Sequence, residues 1–129
     1  MAIMPQYEEK NYFIMKSLLA NKKILFGITG SIAVYKAAEF VRELTKAEAD
    51  VTVVMTEAAT RFVSSLTFAA LSGSRVYTGM FEHDAGEEIT HISLARECDL
   101  FIVAPTTAQT IAKLAHGFAD NLLSSLALA

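Results

Sequence analysis

From Lys23 onward, short apolar runs alternate with amphipathic stretches of sequence. Residues 24–28 (Ile-Leu-Phe-Gly-Ile) form a short apolar run, and residues 51–55 (Val-Thr-Val-Val-Met) form a second, β-branched run, a pattern typical of buried parallel strands. Between them, apolar residues recur at helical spacing, and charged residues occupy the opposite face. The pattern therefore predicts a strand–helix–strand unit. The predicted core face of its helix consists of Ala33, Ala37, Phe40, Val41 and Leu44.

A third strand is predicted at residues 100–104, where Leu-Phe-Ile-Val-Ala is followed by Pro105. Proline lacks the N–H that a sheet ladder needs, so the strand ends there. We expect two helices after it, the first ending at Gly117 and the second capped by Asp120. Their predicted apolar faces are Ala108, Ile111, Ala112 and Ala115 in the first helix and Leu122, Leu123, Leu126 and Ala127 in the second.

The remaining segments give weaker signals. Residues 57–62 and 66–72 are typical of short helices, residues 75–77 favour a strand, and residues 83–88 predict a polar loop. Residues 12–20 predict a short helix after a polar, aperiodic start, so we divide the chain into an N-terminal extension (1–21) and a domain (22–129). Strands that alternate with helices predict an α/β fold with a mostly parallel sheet. Three or four strands are few for such a sheet, so we expect the domain to be incomplete at its C-terminal end.

Composition narrows the possible functions. Hydrophobic residues make up 53% of the chain and charged residues 19%, which excludes intrinsic disorder. The 11 basic and 14 acidic residues give a net charge of −3 without a basic stripe, which argues against nucleic-acid binding. No apolar run is long enough to span a membrane. The single cysteine, Cys98, cannot form a disulfide within the chain, and we expect its side chain to be buried among apolar residues. We expect the protein to be cytoplasmic.

Polar segments follow the three clear predicted strands, at the edge where open α/β sheets bind ligands. They are Gly30-Ser31-Ile32, Thr56-Glu57 and residues 106–110. The first is a turn into a helix N-terminus, which favours an anion such as phosphate. The spacing from Gly27 to Gly30 is one residue longer than the dinucleotide fingerprint, and no P-loop lysine follows, so a mononucleotide is favoured. A glycine turn that only joins strand and helix is the alternative interpretation.

Four segments, in order, resemble the flavin-dependent cysteine decarboxylases, and the resemblance runs from about Lys22 to Ala129. It implies a flavodoxin-like three-layer sandwich that binds FMN. The segments are Ile28-Thr-Gly-Ser-Ile-Ala-Val-Tyr-Lys36, Met55-Thr-Glu-Ala-Ala59 with Phe62, His91-Ile-Ser-Leu94, and the block from Asp99 to Leu123 with its hexapeptide Pro105-Thr-Thr-Ala-Gln-Thr110. In that hexapeptide, Gln109 stands where the family usually has asparagine.

The resemblance also implies roles for individual residues. His91 corresponds to the family's catalytic histidine, a residue type whose pKa suits proton transfer at neutral pH. From the residues alone, a surface histidine is the alternative, and Ser31 and the threonines can equally cap helices. No metal site is expected, because the chain has three scattered histidines and one cysteine. The implied FMN contacts are Gly30, Ser31, Ile32, Thr56, Glu57, Thr106, Thr107, Ala108 and Gln109.

The implied activity is the FMN-dependent decarboxylation of 4′-phosphopantothenoylcysteine to 4′-phosphopantetheine in coenzyme A biosynthesis. The implied partners are a small phosphorylated substrate that contains cysteine, and further copies of the chain in a trimer-based assembly. The alternatives are a peptidyl-cysteine decarboxylase or a flavin prenyltransferase on the same fold, or a non-catalytic flavin-binding regulator. The family's substrate motif and flap cysteine have no counterpart in these 129 residues, so we expect them alone to be inactive.

Overall fold

The computed structural model describes residues 4–80 and 90–129, with side chains for residues 7–80 and 92–129. Its four strands form one all-parallel sheet in the order β3-β2-β1-β4. The strands are β1 (Lys23–Ile28), β2 (Asp50–Met55), β3 (Val76–Tyr77) and β4 (Leu100–Val103). The helices of the described part are α1 (Met4–Leu19), α2 (Val34–Lys46), α3 (Glu57–Thr60), α4 (Ser65–Ser72), α5 (Thr90–Glu97), α6 (Ala108–His116) and α7 (Leu122–Leu128).

The central strand is β1, which is buried along almost its whole length. It pairs with β2 in the register that sets Lys23 opposite Asp50, and with β4 in the register that sets Ile24 opposite Leu100. Because β4 lies on the opposite side of β1 from β2, the strand order reverses between β1 and β4. Open α/β sheets bind their ligands beside such a reversal.

Helices cover both faces of the sheet, which gives three layers and confirms the predicted α/β fold. Alternate residues of β1 and β2 point to opposite faces, as a strand requires. On one face Ile24, Phe26, Ile28, Val51, Val53 and Met55 pack with Val34, Ala37, Val41 and Leu44 of α2 and Phe68 of α4. On the other, Leu25 and Val54 pack with Leu122, Leu123 and Leu126 of α7 and with the half-buried Leu94, Ala95 and Cys98 beside α5.

A glycine in β1 lets α7 come into direct contact with the sheet. A Cβ atom placed on Gly27 would lie 2.9 Å from Cδ1 of Leu123 and 3.2 Å from the ring of Phe101. Both distances are shorter than ordinary van der Waals contacts between carbon atoms. The absence of a side chain at this position therefore allows Leu123 to fill the space above the centre of the sheet.

Most predicted elements are confirmed. The strands expected at 24–28, 51–55 and 100–104 lie within one residue of β1, β2 and β4. Gly117 ends a helix as predicted, in the left-handed conformation with φ of 71°, and Gly73 ends α4 in the same way with φ of 69°. The helix predicted at 57–62 is shorter, since α3 ends at Thr60, and the helix predicted at 12–20 is longer, since α1 begins at Met4. The loop predicted at 83–88 lies outside the described residues.

Two predicted core faces are partly wrong. Phe40 of α2 is 43% exposed, although its ring meets that of Phe26 edge-on with centroids 5.3 Å apart, and Ala33 precedes the helix. The predicted face of α6 is exposed throughout, with Ile111 at 57%, while Thr110 is the buried residue of that helix. Helical periodicity identifies an apolar stripe, and it does not identify the surface that covers that stripe. We refer to Ala108, Ile111, Ala112 and Ala115 as the α6 apolar face.

Three smaller expectations also need correction. The cap of α7 is Asn121 rather than Asp120, because the Asn121 side chain accepts the backbone N–H of Ser124 at 2.9 Å. Cys98 is half-buried rather than fully buried, and its Sγ donates to the Ala95 carbonyl oxygen. Helix α5 was not predicted, because so short a segment shows little periodicity. None of the described helices has the length and apolar content needed to cross a membrane.

Candidate functional site

The carboxyl ends of β1, β2 and β4 open onto one cleft of about 300 Å³. The cleft lies beside the reversal of strand order between β1 and β4, where the topology predicts a ligand site. Its lining residues come from the turns that follow these strands and from the first turns of the next helices. They are Thr29, Gly30, Thr56, Glu57, Ala58, Thr107, Gln109, Thr110, Lys113 and Asn121.

The turn after β1 packs tightly against α3 at Gly30. A Cβ atom on Gly30 would lie 2.5 Å from the Ala58 Cβ atom and 2.8 Å from its backbone carbonyl carbon. A larger residue would therefore displace α3, together with Thr56 and Glu57 at its start. Gly30 thus shapes the floor of the cleft through a contact within the protein, whether or not a ligand is bound.

Three capped helix N-termini meet at the cleft. The side chains of Thr56, Thr107 and Asn121 cap α3, α6 and α7, accepting the backbone N–H groups of Ala59, Thr110 and Ser124 respectively. The start of α2, beside Gly30, has no side-chain cap. The partial positive charge at a helix N-terminus matters here for the longer helices α2 and α6, whose N-termini favour an anionic group on that side of the cleft.

Lys113 adds a full positive charge to this wall. It lies one turn into α6, lines the cleft, and places its Nζ atom 2.8 Å from Oδ2 of Asp120. The hydrogen bond from Lys113 holds the pKa of the Asp120 carboxyl below its usual value. The pair is largely solvent-exposed on the Asp120 side, so an incoming phosphate can compete for the ammonium group.

A second pocket of about 220 Å³ adjoins the first. The two share Thr56, Glu57 and Asn121, so they form one continuous cleft along the carboxyl edge of the sheet. The lining of the second pocket is more apolar, with the side chains of Met55, Met80, Leu122 and Leu123. A polar compartment that contains Lys113, beside a more apolar one, suits a ligand that joins a phosphate to a flat ring system.

The structure brings together five of the predicted cofactor contacts and leaves four aside. Gly30, Thr56, Glu57, Thr107 and Gln109 line the cleft. The other four are not among its lining residues. The Ser31 Oγ accepts the N–H of Ala33, and the Thr106 hydroxyl donates to the Val103 carbonyl oxygen. Ile32 is 79% exposed, and Ala108 is also exposed.

His91, the predicted catalytic residue, is the second residue of α5, and its side chain lies outside the described part of the structure. The direction of α5 is nevertheless clear. Its last residue, Glu97, pairs with Lys23 at the amino end of β1, with Nζ and Oε2 3.0 Å apart. The helix thus runs antiparallel to the sheet and begins about 10 Å nearer the carboxyl edge. The backbone of His91 therefore lies at the end of α5 that is nearer the carboxyl edge of the sheet.

Sequence reasoning did not select four residues that line the cleft: Thr29, Ala58, Lys113 and Asn121. Thr110 lies in the segment 106–110 expected at this edge, although it was not among the implied FMN contacts. A signal existed for Asn121, because asparagine and serine three residues apart are typical of a helix cap. Thr29 is held by contacts with residues 76 and 78 positions away, which local patterns do not reveal. Among the described residues, no group of three or more His, Cys, Asp or Glu side chains is arranged to hold a metal ion.

Comparisons with known proteins agree with this geometry. Residues 13–129 match the model of a protein family described as Flavoprotein. A Streptococcus mutans protein named probable phosphopantothenoylcysteine decarboxylase is 50% identical over 108 residues, which cover 84% of this chain and 60% of that protein. The Bacillus subtilis coenzyme A biosynthesis bifunctional protein CoaBC is 49% identical over 112 residues, which cover 87% of this chain and 28% of that protein.

A solved structure shows the same fold. The crystal structure of the FMN-dependent cysteine decarboxylase SpaF superposes with a TM-score of 0.78 at 28% identity. The superposition covers 85% of this chain and 63% of SpaF. The chain thus spans less than two thirds of the length of each of these three proteins.

Proposed function

Because this chain belongs to the Flavoprotein family, and its cofactor is accordingly a flavin, we propose that the flavin is FMN and that it binds in the cleft at the carboxyl edge of the sheet. The observation that carries the proposal is the meeting of the β1 turn, the N-terminus of α6 and Lys113 around one cleft with an apolar neighbour. The phosphate of FMN suits the compartment that contains Lys113 and the α6 N-terminus, and its ring suits the compartment lined by Met55, Met80, Leu122 and Leu123.

We further propose that the reaction is the decarboxylation of 4′-phosphopantothenoylcysteine. Support comes from the 50% identity to the S. mutans relative named probable phosphopantothenoylcysteine decarboxylase and from the 49% identity to the B. subtilis protein CoaBC. When bound, FMN would take two electrons from the thiol-bearing carbon of the substrate, which allows the carboxylate to depart as carbon dioxide, and would then return the two electrons to the product. The chain's own residues bind and orient: Lys113 and the helix N-termini hold the phosphate, and Gln109 offers a carboxamide to the ring or the substrate.

His91 is the proposed proton-transfer residue. It lies near the start of α5, at the end of the helix that faces the carboxyl edge of the sheet. An imidazole there can accept a proton from the substrate and return it at neutral pH. We place this reaction in the cytoplasm, where a single free thiol such as that of Cys98 stays reduced.

We also propose that copies of the chain form a trimer-based assembly, as the family resemblance implies. The support is the α6 apolar face, which is exposed in one copy and continues from Gln109 and Lys113 in the cleft. A second copy packed there would remove apolar surface from water and complete the outer wall of the site.

The test is a fluorescence titration of the purified chain with FMN. Binding should quench flavin fluorescence, and Lys113→Met should weaken binding about tenfold, because one charge-assisted hydrogen bond to phosphate is removed. Lys46→Met is the matched control, since Lys46 pairs with Glu43 at 2.7 Å on the exposed side of α2, away from the cleft. Failure of the unmodified chain to bind FMN, or equal effects of the two substitutions, would contradict the proposal.

A further inference from the structure

Thr29 connects the two turns that form the cleft. It directly follows β1, is only 1% exposed, and lines the cleft beside Gly30. Its Oγ1 donates to the Pro105 carbonyl oxygen at 2.6 Å and accepts the backbone N–H of Thr107 at 2.9 Å. The backbone N–H of Thr29 also donates to Pro105 O, at 3.2 Å. Three hydrogen bonds from one residue thus fasten the turn after β4 to the turn after β1.

The connection continues into α6. Thr107 Oγ1 accepts the backbone N–H of Thr110 at 3.2 Å and lies 3.1 Å from the Thr110 hydroxyl, which is buried. Thr107, one of the expected FMN contacts, therefore has its backbone N–H bonded to Thr29 and its hydroxyl bonded to Thr110. The network runs from the end of β1 to the first turn of α6, the turn that carries Gln109 and leads to Lys113.

A hydroxyl group is required at position 29 for a simple reason. The threonine hydroxyl both donates and accepts a hydrogen bond, whereas valine, which has nearly the same shape, can do neither. Valine would leave the Thr107 N–H without its acceptor and the Pro105 oxygen without one of its two donors. Such buried groups seek other partners, so the segment from 105 to 107 would shift relative to β1.

We propose that Thr29 is a positioning residue for the flavin site: its hydroxyl sets the distance between the glycine turn and the start of α6. Gln109 and the α6 N-terminus then face the phosphate-binding side of the cleft. This inference rests on the proposed function, because it assumes that FMN binds there. Thr29 itself acts through Pro105 and Thr107.

The test compares Thr29→Val with Thr29→Ser, which keeps the hydroxyl. FMN affinity is measured by fluorescence quenching, and the thermal midpoint of the FMN-free chain is measured separately. Thr29→Val should weaken FMN binding about tenfold, whereas Thr29→Ser should stay within about threefold of the unmodified chain. Thr45→Val is the matched control: it also removes a half-buried hydroxyl, which donates to the Val41 carbonyl oxygen at 2.9 Å, but within α2. Its FMN affinity should be unchanged.

A purely structural role would give a different result. Thr29→Val would then lower the thermal midpoint, as would Thr45→Val, and would bind FMN as tightly as the unmodified chain. That result would overturn the inference and leave the proposed function intact. If the unmodified chain does not bind FMN, the proposed function fails, and this inference fails with it. If Thr29→Val does not fold, Thr29→Cys replaces it, because cysteine matches serine in shape but is a weaker donor and acceptor. Equal FMN affinities of the serine and cysteine variants would also overturn the inference.

Discussion

Lys113 shows how much the chemistry of this fold depends on single side chains. Among the described residues that line the larger pocket, it has the only cationic side chain, and Glu57 has the only carboxylate. A phosphate that enters the cleft must therefore be held mainly by helix N-termini and one ammonium group. The pairing of Lys113 with Asp120 holds that ammonium at the cleft wall before a ligand arrives.

His91 is the residue whose substitution best separates binding from chemistry. His91→Asn keeps a similar size and one hydrogen-bonding nitrogen but cannot carry a proton at neutral pH. In protein expressed from the complete gene, we expect FMN binding to be retained and turnover of 4′-phosphopantothenoylcysteine to fall by about 10²–10⁴-fold. Carbon dioxide release measures turnover, and the visible flavin spectrum measures retention. Turnover within a few-fold of the unmodified enzyme would show that another group transfers the proton.

At the residue scale, sequence alone predicted about half of the cleft. Gly30, Thr56, Glu57, Thr107 and Gln109 were predictable because they lie in the polar segments that follow the predicted strands, and the family resemblance implied the same residues. Thr29 was not, since its partners lie 76 and 78 positions away in the chain. Buried hydrogen bonds of this kind depend on how distant segments meet.

At the scale of elements, α7 is short and depends on its N-terminal cap. The Asn121 side chain accepts the Ser124 N–H, and the Ser124 hydroxyl accepts the Asn121 N–H at 3.3 Å in return. This reciprocal arrangement holds the start of a seven-residue helix whose Leu122 and Leu123 cover the sheet. The same asparagine borders both pockets of the cleft, so one cap serves stability and the site together.

Replacing this cap should therefore affect both properties. Asn121→Ala should lower the free energy of unfolding by about 1 kcal/mol, as measured by urea denaturation, and should also weaken FMN binding. Ser64→Ala is the matched control, because Ser64 caps α4 by accepting the Leu66 N–H at 3.2 Å, away from the cleft. It should cost similar stability and leave FMN affinity unchanged. Equal FMN affinities for the two variants would mean that Asn121 is only a cap.

The helices and strands differ in how well the sequence predicted them and the surfaces that cover them. The central strands were predicted closely because a strand buried on both faces must be apolar at every position. Helix α6 was predicted correctly in extent, yet its apolar face is exposed. The sequence could not show this, because an apolar stripe on a helix has the same period whether its own sheet or another chain covers it. Helix α5 escaped prediction because it is short and, among its described side chains, only Leu94 and Ala95 pack against the core cluster.

At the scale of the whole molecule, the α6 apolar face provides a test of assembly. Ile111→Lys places a charge at the centre of this face, and Ile111 is already 57% exposed, so the substitution should not unfold one copy. We expect light scattering at micromolar concentration to show a lower mass for Ile111→Lys than for the unmodified protein. Leu66→Lys is the control, because Leu66 is 74% exposed on α4, on the other face of the sheet, and should leave the mass unchanged. A monomeric unmodified protein would contradict the proposed assembly.

The contact between Gly27 and Leu123 also bears on how the protein is made. Roughly a hundred residues separate the two, so at about 5–20 residues per second the ribosome needs about 5–20 s to deliver the partner of β1. During that interval the nascent β1–α2–β2 unit can bury one face of its strands under α2, while the other face, with Leu25 and Val54, stays exposed to solvent. The newborn chain thus passes through a period in which chaperones or neighbouring nascent chains compete with α7 for the same surface.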